Sequence, residues 1–380
     1  TDPDGAAISY TYDIAGNRTS VTTSIPTNAP RVTTYTFDAL NRTETVTDPE
    51  GGVTSYTYNE VGLPDRTDFP NGTFEQRRYD DLNRLTYLEN RNGNTGEVIN
   101  SFLYELDDTG NRIAVDEHDG RRVEYAYDEL YRLIDEDIFD PGAISVSRSI
   151  SYEYDLVGNR LSRNDTGEGV TTYTYDDNDR LLTETLAGDI TRYEYDNNGN
   201  TLRKINNATD EVLTEYYWDH ENRLIAADTN GDRTIDVENQ YDADGIRVSQ
   251  TVDGEETRFL IDANRPYQQV LEEYTPGGVI KVSYVQGNDL ISQNRHGDTG
   301  KSFYHVDGVG STRAISNKVG GVTDRYIQDA FGQTIDQIGI TGNVYLFAGE
   351  QRDVSLELDY LRARYLNVQT GQFVSRDPFE

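Results

Sequence analysis

The sequence predicts an all-β protein built as an array of antiparallel hairpins. Three observations predict it. A phrase of the form YEYDLVGNRL (152–161) returns eleven times along the first two-thirds of the chain. Within the phrase, ring and polar residues alternate, as in Tyr56-Thr57-Tyr58 and Tyr193-Glu194-Tyr195, which puts both rings of a pair on one strand face. No stretch of the repeats reads as a long amphipathic helix. Recurrence at steps of 20 to 27 residues marks an array whose units stack on their neighbours.

The copies run Tyr12-Asp13, Phe37-Asp38, Tyr58-Asn59, Tyr79-Asp80, Leu106-Asp107, Tyr127-Asp128, Tyr154-Asp155, Tyr175-Asp176, Tyr195-Asp196, Trp218-Asp219 and Tyr241-Asp242. Each predicts the same local structure. Tyr, Thr, Val and Ile favour the first strand. The Asp accepts hydrogen bonds from backbone donors of the turn that follows, and Gly or Asn takes positive φ at low cost. The Arg-Leu pair that closes many copies starts the return strand. Links such as Asp48-Pro49-Glu50-Gly51-Gly52 and Phe69-Pro70-Asn71-Gly72 supply the second turn of the unit. The Tyr pairs are expected to stack ring on ring across neighbouring strands, at roughly 0.2–1 kcal/mol per pair. A sugar-stacking platform is the functional alternative for the same rings.

Beyond Gly254 the phrase gives way to other strand-like text. The chain therefore divides into a repeat array, 1–253, and a distinct closing segment, 254–380. Composition limits the function. A net charge of −34 argues against a nucleic-acid partner, which needs clustered Lys and Arg. Only 35% of residues are hydrophobic, and 28 Tyr make up part of the deficit by burying a ring while keeping a polar tip. The absence of Cys excludes disulfides, thiol catalysis and Cys-ligated zinc. No apolar run approaches the ~18 residues of a membrane helix, so membrane insertion is not expected. The chain has no Met and begins at Thr1, and is read as a piece of a longer protein.

These residues carry a family resemblance. The Tyr-Asp phrases resemble YD repeats. The closing segment resembles the Rhs repeat-associated core, whose marks are HxDxxGSTR, YDAFG and RYxxxxTGxFxxxDP. Here they read HVDGVGSTR (305–313), QDAFG (328–332) and RYLNVQTGQFVSRDP (364–378). The resemblance implies that the sheet spirals into a hollow shell capped by the core. Eleven hairpins plus six to eight core strands, at ~4.8 Å per strand, make a sheet about 140 Å around, or a ring about 45 Å across. In this family such shells enclose a C-terminal toxin in bacterial polymorphic toxins and insecticidal toxin complexes. That implies a secreted or cell-surface bacterial protein. Its partner is a C-terminal effector of the same parent chain, with a capping or delivery protein at the open end. The rival class is an adhesin or filament-like module that recognises glycan or protein, as teneurins use a similar shell for adhesion.

The resemblance also implies chemistry. Many members cut their own chain just downstream of the core as aspartyl proteases. Asp377 fits the acidic position and Arg364 the neighbouring Arg, whereas Asp377-Pro378 equally reads as a turn closing the last strand. Separately, Asp228, Asn230, Asp232 and Asp236 have the oxygen spacing of a calcium loop, against a hairpin reading with Asn230-Gly231 at its tip. No other cofactor is expected. His118, His220, His296 and His305 are scattered and read as structural. Gly308 to Ser311 reads as a tight turn and not as a nucleophile elbow. The repeat signature residues are Tyr12, Asp13, Tyr79, Asp80, Tyr154, Asp155, Tyr175, Asp176, Tyr195 and Asp196.

Overall fold

The computed structural model describes residues 5–377. Strands β1 (Ala7–Tyr12) to β30 (Thr334–Ile338) form one 30-stranded antiparallel sheet, each strand pairing with the next in sequence. A second, 4-stranded sheet holds β31 (Gln351–Asp353) to β34 (Gln372–Phe373). The one helical element among the described residues is the 3₁₀ turn Phe347–Gly349. The eleven predicted hairpins are β1 to β22 (Arg247–Val252). A turn at Asp253-Gly254 joins β22 to β23 (Glu255–Asp262), so the sheet continues unbroken into the closing segment.

That segment supplies twelve strands instead of six to eight. Eight extend the sheet and four make the small one. The four are only two or three residues long, too short to show alternation in the sequence.

The sheet winds into a spiral that tightens. The Tyr10 hydroxyl of β1 donates to Asp262 of β23 at 2.8 Å, across 252 residues. Further on, Asn71 donates to Ser316 across 245 residues. Arg313 reaches Glu117 across 196, and Arg163 reaches Asp329 across 166. The shrinking gap means that β23–β30 run inside β1–β14 on a smaller circumference. We call the face of β1–β22 turned toward this inner coil the inner face. Burial agrees. The outer strand β3 (Arg31–Phe37) alternates strictly between half-buried and exposed residues. Inner strand β25 (Ile280–Gln286) is covered on both faces. Its Val285 packs with Val46 and Tyr56 of the outer coil, while Val282 and Tyr284 pack with Tyr304, Ile315 and Tyr345 on the other side. The small sheet covers the inner face further round: Leu358, Tyr360 and Tyr365 pack on Tyr216, Leu224 and Val237. The core therefore closes the inside of the spiral.

The repeat has a chemical reason that its spelling only partly shows. The first ring of many pairs is buried on the inner face, as at Tyr152, Tyr173 and Tyr216, and is half-buried at Tyr10, Tyr35 and Tyr125. The second ring donates its hydroxyl to a carbonyl of the preceding repeat. Tyr58 bonds Thr43, Tyr79 bonds Pro64, Tyr127 bonds Arg112, Tyr175 bonds Arg160 and Tyr241 bonds Leu224, all at 2.8–2.9 Å. Trp218 stands in with its indole N–H on Thr201 at 2.8 Å, a donor in the same place. The Asp then organises its turn. Asp128 Oδ1 accepts the amides of Leu130 and Arg132, and Oδ2 takes the Arg132 side chain at 2.7 Å. Arg132 in turn donates to the Asp155 carbonyl of the next turn and lies over the Tyr154 ring, 4.9 Å from its centre. Arg42 on Tyr58 and Arg223 on Tyr241 repeat the ring contact.

The expected ring-on-ring stacking from strand to strand is thus replaced by arginine-on-ring contacts. The rings that do meet within the repeats lie on one strand, as Tyr10 with Tyr12 and Phe102 with Tyr104. The backbone amide of Arg132, then burial in opposition, dominates the Asp128 carboxyl, which is held below its ordinary value. Asp128→Ala should lower stability, because two turn amides and a guanidinium lose their acceptor together. Urea denaturation of the variant checks this.

Candidate functional site

The core phrases use the turn chemistry of the repeat. In HVDGVGSTR, Asp307 Oδ1 accepts the amides of Val309 and Ser311, each at 3.1 Å. In QDAFG, Asp329 Oδ1 accepts those of Phe331 and Gln333 at 3.0 and 2.9 Å. The tight turn expected at Gly308–Ser311 is present. Reading the sequence by its Tyr-Asp spelling missed this kinship. The signal that finds it is an Asp whose own and fourth-following residues bracket a Gly.

These turns touch the outer coil through charge. Arg313 sits between Glu117 at 2.8 Å and Asp307 at 3.4 Å, with its guanidinium over Phe102. Ser311 Oγ accepts the Ala348 amide at 3.0 Å. Phe331 meets Tyr152 edge-on at 5.0 Å and lies under Arg160. Asp329 is reached by Arg163, which also binds Asp165 at 2.7 Å. The carboxyl of Glu136 accepts the Ala330 amide at 3.0 Å. Burial, then the charge of Asp329, pushes Glu136 up to about 7. His305 is fully buried and bonds Ser316 at 2.8 Å, and burial followed by the Arg325 charge brings its imidazole down to about 3. It is therefore a neutral structural ring. His296 likewise binds Ser283 at 2.7 Å.

The structure brings Arg364 and Asp377 together, their charged groups 3.1 Å apart. The Arg364 guanidinium lies 3.7 Å from the centre of the Phe373 ring. Tyr365, next in sequence, is buried and accepts a hydrogen bond from Arg247 at 3.0 Å. Val374 donates to the Tyr365 carbonyl, and its own carbonyl accepts the Thr201 amide at 2.8 Å. The Arg160 side chain reaches the Gln369 carbonyl at 3.2 Å. The segment ending at Asp377 thus lies against the inner face. Pro378 and Glu380 lie outside the described residues.

The Asp228 stretch is not the two-residue hairpin weighed in the sequence. Residues 229–236 form a longer loop between β20 (Leu224–Asp228) and β21 (Val237–Tyr241). Asp228 is buried and serves as the hub of this loop. Its Oδ1 accepts Asn230 and Gly231, and its Oδ2 accepts Arg233, at 2.7–3.2 Å. Asp236 Oδ2 takes the amide and hydroxyl of Thr229. The side chains of Asn230 and Asp232 each accept an amide two residues on. Donors of the loop thus engage both Asp228 oxygens and one oxygen each of Asn230, Asp232 and Asp236, and no group of three or more acidic or His side chains suited to a metal gathers among the described residues. Millimolar calcium is expected to leave the melting temperature unchanged, and calorimetric titration to show no binding heat from this loop.

A spiralled sheet of Tyr-Asp hairpins, closed from inside by a core that ends on an Arg-Asp pair, defines a YD shell. The chain belongs to the Teneurin YD-shell family, whose model matches residues 75–379, and residues 1–24 match the RHS repeat. It is 32% identical over 187 residues to the tRNA nuclease WapA of Bacillus subtilis (strain 168), covering 48% of this chain and 8% of that protein. It is 30% identical over 213 residues to the probable deoxyribonuclease RhsB of Dickeya dadantii (strain 3937), covering 52% of this chain and 14% of the relative. The chain therefore spans a small part of the relatives it matches. Among solved structures it resembles the TcdB2-TccC3-TEV crystal structure, with a TM-score of 0.71 at 16% identity over 97% of this chain and 22% of that one. The Photorhabdus luminescens Tc holotoxin pore gives a TM-score of 0.66 at 16% identity, over 94% of this chain and 21% of that one. These two likenesses concern the fold.

Proposed function

We propose that this chain is the closing end of a shell that sequesters an effector carried C-terminal to it on the same parent chain, in a secreted or surface-displayed bacterial protein. One observation carries the reading. The segment up to Asp377 runs along the inner face, held there through Val374 to Thr201 and Gln369 to Arg160. A polypeptide that follows it starts on the inside. That relatives sharing this stretch bear nuclease names fits an enclosed enzyme that lies elsewhere in their chains. The adhesin reading is set aside, because most repeat tyrosines a glycan platform would use are turned inward or spent on neighbouring carbonyls.

The mechanism is containment. A continuous ladder pairs the backbone donors of every strand except at its ends, so β1 is where a preceding turn or a capping or delivery protein would join. In the parent chain, a domain following residue 377 should resist added protease until the shell is denatured. Digestion at the rate of the free domain would refute containment.

Arg364 and Asp377 are proposed to serve release by self-cleavage. The guanidinium fixes one carboxyl, which activates water at the scissile peptide with a second acid supplied elsewhere. In a parent chain extended beyond residue 380, Asp377→Asn should stop processing while leaving the fold intact. Processing at the wild-type rate would remove the role.

A further inference from the structure

We propose that the pocket between the outer strands and the core turns binds a carboxylate carried on an aromatic or aliphatic body. This rests on the pocket's geometry alone and does not require an enclosed effector. Two of the three core phrases converge there, together with the 3₁₀ turn. Asp307–Arg313, Gln328–Phe331 and Phe347–Ala348 face the inner side of β9 (Val98–Leu106), β10 (Arg112–Glu117) and β11 (Arg122–Tyr127) across a cavity of about 710 Å³. That volume suits a small organic ligand, and the walls have the composition such sites favour. Phe102, Tyr125, Phe331 and Phe347 supply rings.

Two polar groups in the lining lack the partners that the rest of the seam has. The first is Arg112. Its guanidinium lies over Tyr104, 4.7 Å from the ring centre, and no carboxylate pairs with it among the described residues. Its neighbours are all balanced. Arg121 and Arg313 share Glu117, Arg313 also meets Asp307, and Arg132 holds Asp128. The pocket thus keeps one uncompensated cation in a chain of net charge −34. The second is Gln328. Both its Oε1 and its Nε2 are buried without a hydrogen-bond partner. Buried amides are nearly always satisfied, so this one calls for a polar ligand group or bound water. A carboxylate answers both, accepting from Arg112 and from the Gln328 amide while its apolar body rests on the rings.

The test is calorimetric titration of the protein with 3-phenylpropionate, with the neutral isostere 3-phenylpropanol as control. The acid should bind and the alcohol should not. Arg112→Met should weaken binding about tenfold or more, the usual consequence of losing a charged hydrogen bond. Arg112→Lys should retain part of it, which separates lost charge from lost fold. Gln328→Leu should weaken binding without lowering the melting temperature. A short peptide carrying Phe-Glu distinguishes the source. Tighter binding than the free acid assigns the pocket to an acidic polypeptide segment, and equal or weaker binding assigns it to a small carboxylic acid. No heat with either probe at millimolar concentration, equal binding of the alcohol, or full binding by Arg112→Met would overturn the proposal and leave water as the partner of Gln328.

Discussion

Asp353→Ala is expected to cost the fold about 3–5 kcal/mol, the usual loss when one member of a buried ion pair is removed. Asp353 and Arg247 are each 2% exposed and lie 2.8 Å apart. Their pair ties the small sheet to β22. Gln250 also donates to Asp353 at 2.6 Å, and the Leu356 amide at 3.2 Å. Without the carboxylate, Arg247 keeps only neutral acceptors, Gln351 and the Tyr365 hydroxyl, and the face of Tyr360 at 4.2 Å. A buried guanidinium is not neutralised by deprotonation, so the charge itself must be accommodated. The chain's one tryptophan, Trp218, packs against the cluster this sheet forms with the wall, so its fluorescence reports the loss during urea denaturation. The double variant Arg247→Met, Asp353→Leu should recover most of the stability, since it removes the stranded charge along with the pair.

The second large effect depends on pH. Glu136 titrates in the folded chain at about 7, above the ordinary glutamate value of about 4.5. Below pH 4.5 the carboxyl is protonated in folded and unfolded chains alike, and nothing is lost. As pH rises toward 7, the unfolded chain releases a proton that the folded chain keeps. Folding stability from this group therefore falls across that window, by about 3 kcal/mol at completion, at ~1.4 kcal/mol per pH unit. Glu136→Gln should be more stable than the wild type by about that amount at pH 8, and nearly equal to it at pH 4.5. The amide keeps an oxygen for the Ala330 N–H and offers hydrogens toward Asp329. The turn aspartates act oppositely. The values of Asp38, Asp80 and Asp128 are lowered, first by the backbone amide of the Arg four residues on, so their contribution is present at neutral pH and lost on acidification. Thermal melts from pH 4.5 to pH 8 on both proteins separate the two trends.

The hairpins could be read because their chemistry is local. Asp128 bonds amides two and four residues away, so the turn is spelled out within five letters. The link from Arg132 to Tyr154 could not be read, because it needs the register between neighbouring units. The inner coil was hidden for a different reason. Contacts such as Thr23 with Glu272, or Lys301 with Asp48 and Glu50, join residues some 250 positions apart and obey no period. Their polar character also explains a low hydrophobic content that looked like a deficit. Two coils can be held together by ion pairs and hydroxyls where a conventional core would use Leu and Ile. In the candidate site, Arg364 and Asp377 were named from a motif, and their contact required the short strands that return Phe373 past Tyr365. The Arg112 and Gln328 pocket had no sequence signal, since its walls come from five separated segments.

Native-state amide hydrogen exchange tests the layered spiral most directly. The fold predicts that β25, β26 (Leu290–Arg295), β27 (Gly300–Val306) and β28 (Thr312–Asn317), covered on both faces, exchange slowest in the chain. Strands such as β15 (Gly169–Tyr175), with one face in solvent, should exchange faster. If β25–β28 exchange as fast as β15 or faster, the inner coil is not where the structure puts it.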